Sequence, residues 1–235
     1  MTRPPQSWHP LRANGRDAEI RRLCPVYRTI VAVDIEGSTA RTDAAKARLR
    51  AVMYDLLETA LHACGIAEKH RDPMVDRGDG AFILVRAVDH APKTLLLTGF
   101  IPILNDLLAA HNANCRDQIR LRAAVHAGEV NYDRRGCFGE AIDLTFRLLD
   151  APAAKTALRD AAEPLILVVS DPLYQSVVRH GYHGLDERRF ARLVQVEIGD
   201  QAHHGWVTRL TTSQVLPHRP SRFGRPVSVP AEPTG

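Results

Sequence analysis

Two aspartates stand where carboxylates are able to hold a cation against phosphate. Asp34 ends the apolar run RTIVAVD (28–34) and is followed at once by Ile35, Glu36, Gly37, Ser38 and Thr39. Glycine lets backbone approach a ligand closely, and free N–H groups at a helix start attract phosphate oxygens, so Gly37, Ser38 and Thr39 are candidate phosphate contacts. Asp79 lies between Gly78 and Gly80, where Asp-Gly predicts the tip of a β-hairpin. Singly, each has an ordinary explanation: Ser38 or Thr39 as a helix N-cap, Asp79 as turn chemistry. Together, two strand-end carboxylates side by side in a sheet are able to hold two Mg²⁺ ions about 4 Å apart, which activates an attacking oxygen and stabilises a leaving phosphate. Magnesium needs only one or two carboxylates, with phosphate and water completing its shell. A third candidate is FGEAIDLTFRLLD (138–150), in which Asp143 and Arg147 stand four apart and share a helix face. They read either as a surface ion pair worth ~0.5 kcal/mol or less, or as a place where Arg147 donates to a phosphoryl group in its transition state.

These groups need a frame to hold them. The run 28–34 predicts a central strand, and Leu49, Val52, Met53, Leu56, Leu57, Ala60 and Leu61 recur at helical spacing up to Gly65. Residues 66–86 read as two strands around Asp76-Arg77-Gly78-Asp79-Gly80. A helix is expected over 90–111, with a kink or break at Pro102. Residues 119–127 read as a strand that turns at Gly128, with a second short strand around 130–132. A helix follows over 139–149, then a buried strand over 165–169, a helix over 172–179 with Pro at its first turn, and final strands near 190–198 and 204–210. The hairpins exclude an all-parallel sheet. The fold class is α+β, or mixed α/β, with helices packed on a face of one sheet.

Length and composition narrow the field. A chain of 235 residues holds one well-buried domain, expected over 25–210, with polar, Pro-containing tails at 1–24 and 211–235 too poor in apolar groups to order themselves. The basic balance sits in those tails, as five Arg against Asp17 and Glu19 over 1–22 and three Arg against Glu232 over 211–235, so no nucleic-acid footprint is expected on the domain. The apolar stretch 95–104 is interrupted by Thr98, Gly99 and Pro102, short of the ~20 residues of a membrane span. No apolar signal segment opens the chain, which makes the cytoplasm the expected location. Cys24, Cys64, Cys115 and Cys137 form no CxxC pair, and His62, His70, His126, His180 and His183 share no ligand spacing, so a zinc or haem site is disfavoured. His126, on a strand, is expected to be partly buried and hydrogen-bonded.

DIEGST (34–39), GDG (78–80), LRAAVHAGEV (121–130) and FGEAIDLTFR (138–147) occur in an order and spacing that resembles the class III nucleotidyl cyclase catalytic domain, over about residues 28–150. The resemblance implies a palm-type, ferredoxin-like fold with a mostly antiparallel sheet. It implies that Asp34 and Asp79, with the Ile35 carbonyl, bind two divalent ions, Mg²⁺ or Mn²⁺, and that Arg147 stabilises the pentavalent phosphate of a nucleoside triphosphate. It also implies a head-to-tail homodimer, in which the aspartates of one subunit meet the arginine of the other. Three positions depart from the family. Asp143 replaces the ribose-positioning asparagine; Val75 replaces the lysine of adenylate or glutamate of guanylate cyclases; Gly136 replaces their aspartate or cysteine partner. Strand period two puts Val75, Arg77 and Asp79 on one face, so Arg77 reads either as a contact in the nucleotide site or as a solvated hairpin arginine. Intact metal aspartates without purine readers resemble the pyrimidine cyclases of bacterial Pycsar antiphage systems, which implies cUMP or cCMP as product and a separate cyclic-nucleotide-binding effector as its reader. The alternative is a degenerate cyclase-homology domain serving as a nucleotide-binding or interaction module; the retention of both Asp34 and Asp79 favours the enzyme.

Overall fold

The computed structural model describes residues 24–210, so the tails expected on either side lie, Cys24 apart, outside the described residues. The chain runs β1 (Val26–Ile35), α1 (Asp43–Ala63), β2 (Val75–Asp76), β3 (Gly80–Arg86), α2 (Lys93–Asn114), β4 (Leu121–Tyr132), β5 (Cys137–Phe138), α3 (Glu140–Asp150), α4 (Pro152–Arg159), β6 (Leu165–Ser170), α5 (Asp171–Ser176), β7 (Phe190–Ile198) and β8 (Gln201–Arg209). The sheet is ordered β2-β3-β1-β4-β6-β8-β7, with β5 paired to the far end of β4. Among the described residues only β4 and β6 run parallel, and every other strand pair is antiparallel. The expected mixed α/β class and mostly antiparallel sheet are thus observed.

Helices cover both faces of the sheet rather than one. On β1, Val31, Val33 and Ile35 enter the core shared with α1, α2 and α5, while Ile30 and Ala32 enter the core shared with α3 and α4. A strand buried on both sides needs apolar residues at every position, which is why 30–33 shows a run and not an alternation. The α2 helix is apolar and long enough to cross a bilayer by length and composition, yet Leu96, Leu97, Phe100, Ile101, Leu104 and Leu108 are buried in the core.

Three local expectations are corrected. The chain does not turn at Gly128: β4 continues through it to Tyr132. A Cβ there would stand 2.8 Å from Ala141 Cβ and 3.3 Å from His126 Nε2, so the glycine serves the close approach of α3 to the strand. The irregularity expected at Pro102 falls just before it, as a π-turn over Leu96–Phe100, with Pro102 in the first turn of the α segment that follows. A proline ring clashes with the turn before it in a regular helix, and the wider turn relieves that clash. Finally, Ser38 and Thr39 do not cap the long helix. They open a 3-10 turn after left-handed Gly37 (φ 66°), and Thr42 caps α1 by accepting from Ala45 N at 3.4 Å.

The sheet edges are unequal. β2 contributes two residues at one edge, while β7 closes the other with an irregularity between Arg192 and Val194.

Candidate active site

Strand register brings Asp34 and Asp79 together. Asp34 pairs across with Gly80 on β3, and Ile35 N donates to the Asp79 carbonyl at 3.0 Å, so the hairpin turn is tied to the end of β1. The turn residues are Gly78 and Asp79, not Asp79 and Gly80: Arg77 N donates to Gly80 O at 2.9 Å across them. Gly78, with φ 80°, supplies the positive φ that a two-residue hairpin needs at its first central position. Gly80 has another duty, because a Cβ on it would collide with the Val33 carbonyl and come within 3.1 Å of Asp34 Cβ.

Period two places Asp34 on the α3 face of the sheet, after Ile30 and Ala32, and opposite Arg122 on β4. The Arg122 guanidinium donates to Asp34 Oδ2, with side chains only 9% and 15% exposed. The second carboxylate oxygen, Asp34 Oδ1, is buried with no partner among the described residues, as is Arg122 Nε. Burial pushes the Asp34 carboxyl up to about 6, against the pull of Arg122; the Asp150 and Asp79 carboxylates add to the rise. A buried anion with a free lone pair and two further carboxylates within electrostatic reach is a place prepared for positive charge. Among the described residues no group of three or more His, Cys, Asp or Glu converges to hold a metal ion alone, so a cation here would complete its shell from phosphate and water.

The adjoining DIEG segment is pinned from outside. Glu36 N donates to Arg120 O at 2.9 Å, and the Glu36 carboxylate lies 3.4 Å from the Arg120 guanidinium, which also donates to the Leu158, Ala161 and Glu163 carbonyls at the end of α4. Ser38 is buried and Thr39 exposed in the 3-10 turn that follows.

The remaining sequence candidates lie apart from Asp34. Val75 is exposed on β2, and Arg77, on the α3 face, stacks over the Phe146 ring at 4.3 Å, with Phe146 edge-on to Phe82 at 5.3 Å. Gly136 sits in the turn between β4 and β5, where the Asp133 carboxylate accepts from its N–H at 2.9 Å. That turn is at the opposite end of β1 from Asp34, since β4 meets Ile35 at Leu121 and Val26 at Val130. Asp143 and Arg147 are exposed in one stripe of α3, and among the described residues Arg147 has no hydrogen bond or ion pair. The chief charges acting on Asp34 are Arg122, Asp150 and Asp79, not Arg147.

Sequence reasoning missed Arg122, Asp150 and the contacts of Asp76 with Arg50 and Tyr54. Arg122 left a signal, a charged residue inside the buried run LRAAV (121–125), which demands a buried counter-charge. His126 is buried as expected, with Nδ1 at 2.7 Å from Ser170 Oγ.

In sequence, the chain matches no family model and none of the curated proteins. In structure it is similar to an adenylate/guanylate cyclase/hydrolase from Silicibacter pomeroyi, with a TM-score of 0.55 at 14% identity over 79% of this chain and 98% of the other. It is similar to the guanylyl cyclase Cya2, with a TM-score of 0.53 at 13% identity over 78% and 92%. The third is the catalytic core of a rhodopsin-guanylyl cyclase with converted specificity, solved with ATPαS, with a TM-score of 0.51 at 12% identity over 79% and 96%. The fold is therefore that of adenylate and guanylate cyclase catalytic domains, as the four sequence segments implied.

Proposed function

We propose that the chain is a metal-dependent nucleotidyl cyclase, with residues 25–210 as its catalytic domain, which converts a nucleoside triphosphate to a 3′,5′-cyclic monophosphate and pyrophosphate. The observation that carries this reading is the Asp34 carboxylate, buried beside Asp79 with one oxygen unpartnered, in a cyclase fold. Asp34, Asp79 and the Ile35 carbonyl fit a pair of divalent ions, Mg²⁺ or Mn²⁺. Such ions, when bound, lower the charge on the triphosphate and acidify an attacking hydroxyl.

The chain's own groups do the rest. Gly37, Ser38 and Thr39 present backbone N–H and hydroxyl groups to the phosphates, and Arg122 holds positive charge beside Asp34. The 3′-oxygen forms its bond to the α-phosphorus as the bond to the β-phosphoryl oxygen breaks; the 3′-proton leaves to solvent and pyrophosphate departs. Arg147, exposed and without an ion pair among the described residues, reaches the α-phosphoryl group of the substrate held by a second copy, where it donates to the oxygens of the pentavalent centre, and Asp143 beside it accepts from a ribose hydroxyl. A homodimer of this kind has two equivalent sites.

Val75 offers no polar group to a purine edge, and Gly136 offers no side chain, whereas Arg77 on Phe146 presents a guanidinium over an apolar floor. A small pyrimidine with its O2 carbonyl suits that surface better than a purine does. The product proposed is cUMP or cCMP, made in the cytoplasm, where nucleoside triphosphates are abundant, and read by a separate effector in antiphage defence.

The purified chain with Mn²⁺ and each of the four NTPs, resolved by HPLC, tests both levels. Cyclic product from UTP or CTP, abolished in Asp79→Ala with the melting temperature retained, is the expected result; ATP or GTP as the clearly better substrate overturns the base assignment, and undiminished turnover in Asp79→Ala overturns the mechanism. The second reading, a nucleotide-binding module, draws on Asp143 in the ribose position, where a carboxylate adds charge beside a polyanion. Tight nucleotide binding with no cyclic product from any NTP would establish it.

A further inference from the structure

The hairpin that carries Asp79 is poorly supported by the sheet itself. β2 is two residues long, pairs only with β3, and forms the sheet's edge. Its support comes from Asp76. Although half-exposed, this carboxylate accepts from four donors: Gly78 N to Oδ1 at 2.7 Å, Arg50 Nη1 to Oδ1 at 3.4 Å, Tyr54 OH to Oδ2 at 3.0 Å, and Arg50 Nη2 to Oδ2. Arg50 and Tyr54 stand four apart on α1 and so share a face, with the guanidinium 5.8 Å from the Tyr54 ring.

Period two makes this arrangement available. Val75 lies across from Phe82, which packs on the α3 side of the sheet, so Asp76 faces the α1 side and Arg77 the α3 side again, where it meets Phe146. The turn is thereby held from both faces. The contact to Gly78 N lies within the turn, one residue before Asp79, and the Asp79 peptide is in turn tied to Ile35 N. Fixing Asp76 to α1 therefore fixes the direction in which the Asp79 carboxylate leaves the chain.

We propose that Asp76, Arg50 and Tyr54 are positioning residues that hold Asp79 beside Asp34 for the divalent ions, an inference that rests on the metal-dependent reading above. The three touch neither substrate nor ion; they act through the geometry of the turn. Arg50 binds the same carboxylate through two nitrogens at once, which a lysine reproduces in charge but not in shape.

Mn²⁺ binding to the full chain, followed by the electron paramagnetic resonance of free Mn²⁺, and amide hydrogen exchange of 77–80 together test this. Arg50→Ala and Asp76→Ala are each expected to raise the Mn²⁺ dissociation constant roughly tenfold, as loss of an outer-shell partner does. They are also expected to speed exchange at Gly78 and Asp79 while the melting temperature holds. Arg50→Lys is expected to recover part of the loss, and the double variant to bind no worse than either single one. Asp76→Asn, which keeps the side-chain volume, serves if either alanine variant does not fold. Asp79→Asn separates the two levels. If it leaves Mn²⁺ binding intact, the metal reading fails and this inference with it; if it weakens binding while Arg50→Ala, Asp76→Ala and Asp76→Asn do not, the metal reading stands and the clamp is overturned.

Discussion

At the scale of single residues, His126 sets a condition on stability that is independent of the candidate site. It is buried in β4, with Nδ1 in hydrogen-bond contact at 2.7 Å with Ser170 Oγ, which accepts from Leu173 N at 3.4 Å. Burial, reinforced by the positive charge of His203 and Lys93, holds the imidazole down at about 4 from its ordinary 6.5. A depressed pKa means that the unfolded chain takes up the proton first as the pH falls. Stability from this group is present above 6.5 and lost progressively toward 4, a loss of about 3 kcal/mol in all. Urea titrations across that window are expected to show a shallower fall for His126→Gln than for the parent chain, since carboxylates titrating elsewhere contribute equally to both. Asp34 and Arg122 follow a different logic. Two buried charges that face each other add little net stability, and removing Arg122 alone leaves a carboxylate stranded at a cost of about 3–5 kcal/mol.

At the scale of elements, the strands and helices were mostly legible because their residues carry the pattern locally. The run 30–33 predicts a buried strand, the spacing Leu49 to Leu61 predicts α1, and Gly78 to Gly80 predicts a hairpin, each from the pattern of its own residues. What could not be read was anything set by a distant neighbour. Gly128 looks like a turn because a glycine after a strand commonly is one; its real reason, the passage of Ala141 over the strand, appears only once α3 is docked. Asp76 and Arg50 are separated by 26 positions and leave no local pattern. Arg122 was legible in principle, since an arginine inside a buried run implies a buried anion, but which anion depends on the β1–β4 register. Gly128→Ala is expected to destabilise the fold by about 1–3 kcal/mol through overpacking. Adding Ala141→Gly, which removes the opposing methyl, is expected to restore part of that loss in denaturant melts.

At the scale of the whole molecule, the candidate groups divide between two regions: Asp34, Asp79 and Arg122 at one end of the central strands, Arg147 and Asp143 on the open face of α3. If the site is shared between copies, a mixture of Asp79→Asn and Arg147→Ala chains, each inactive alone, is expected to regain roughly a quarter of wild-type activity, because half the dimers formed carry one intact site. No recovery on mixing, with dimers present by sedimentation, would assign both halves of the site to one chain.

The edges of the sheet bear on a hazard common to proteins of this kind. A sheet of this width exposes unpaired backbone at both margins, and a long flat margin recruits further strands without limit. Here one margin is a two-residue strand and the other is broken between Arg192 and Val194 and carries exposed Arg192 and Glu197. Neither offers a straight ladder to a passing chain. Copies that meet at high concentration or during synthesis are therefore steered away from open-ended fibrillar stacking, and closed association through the faces remains the easier path.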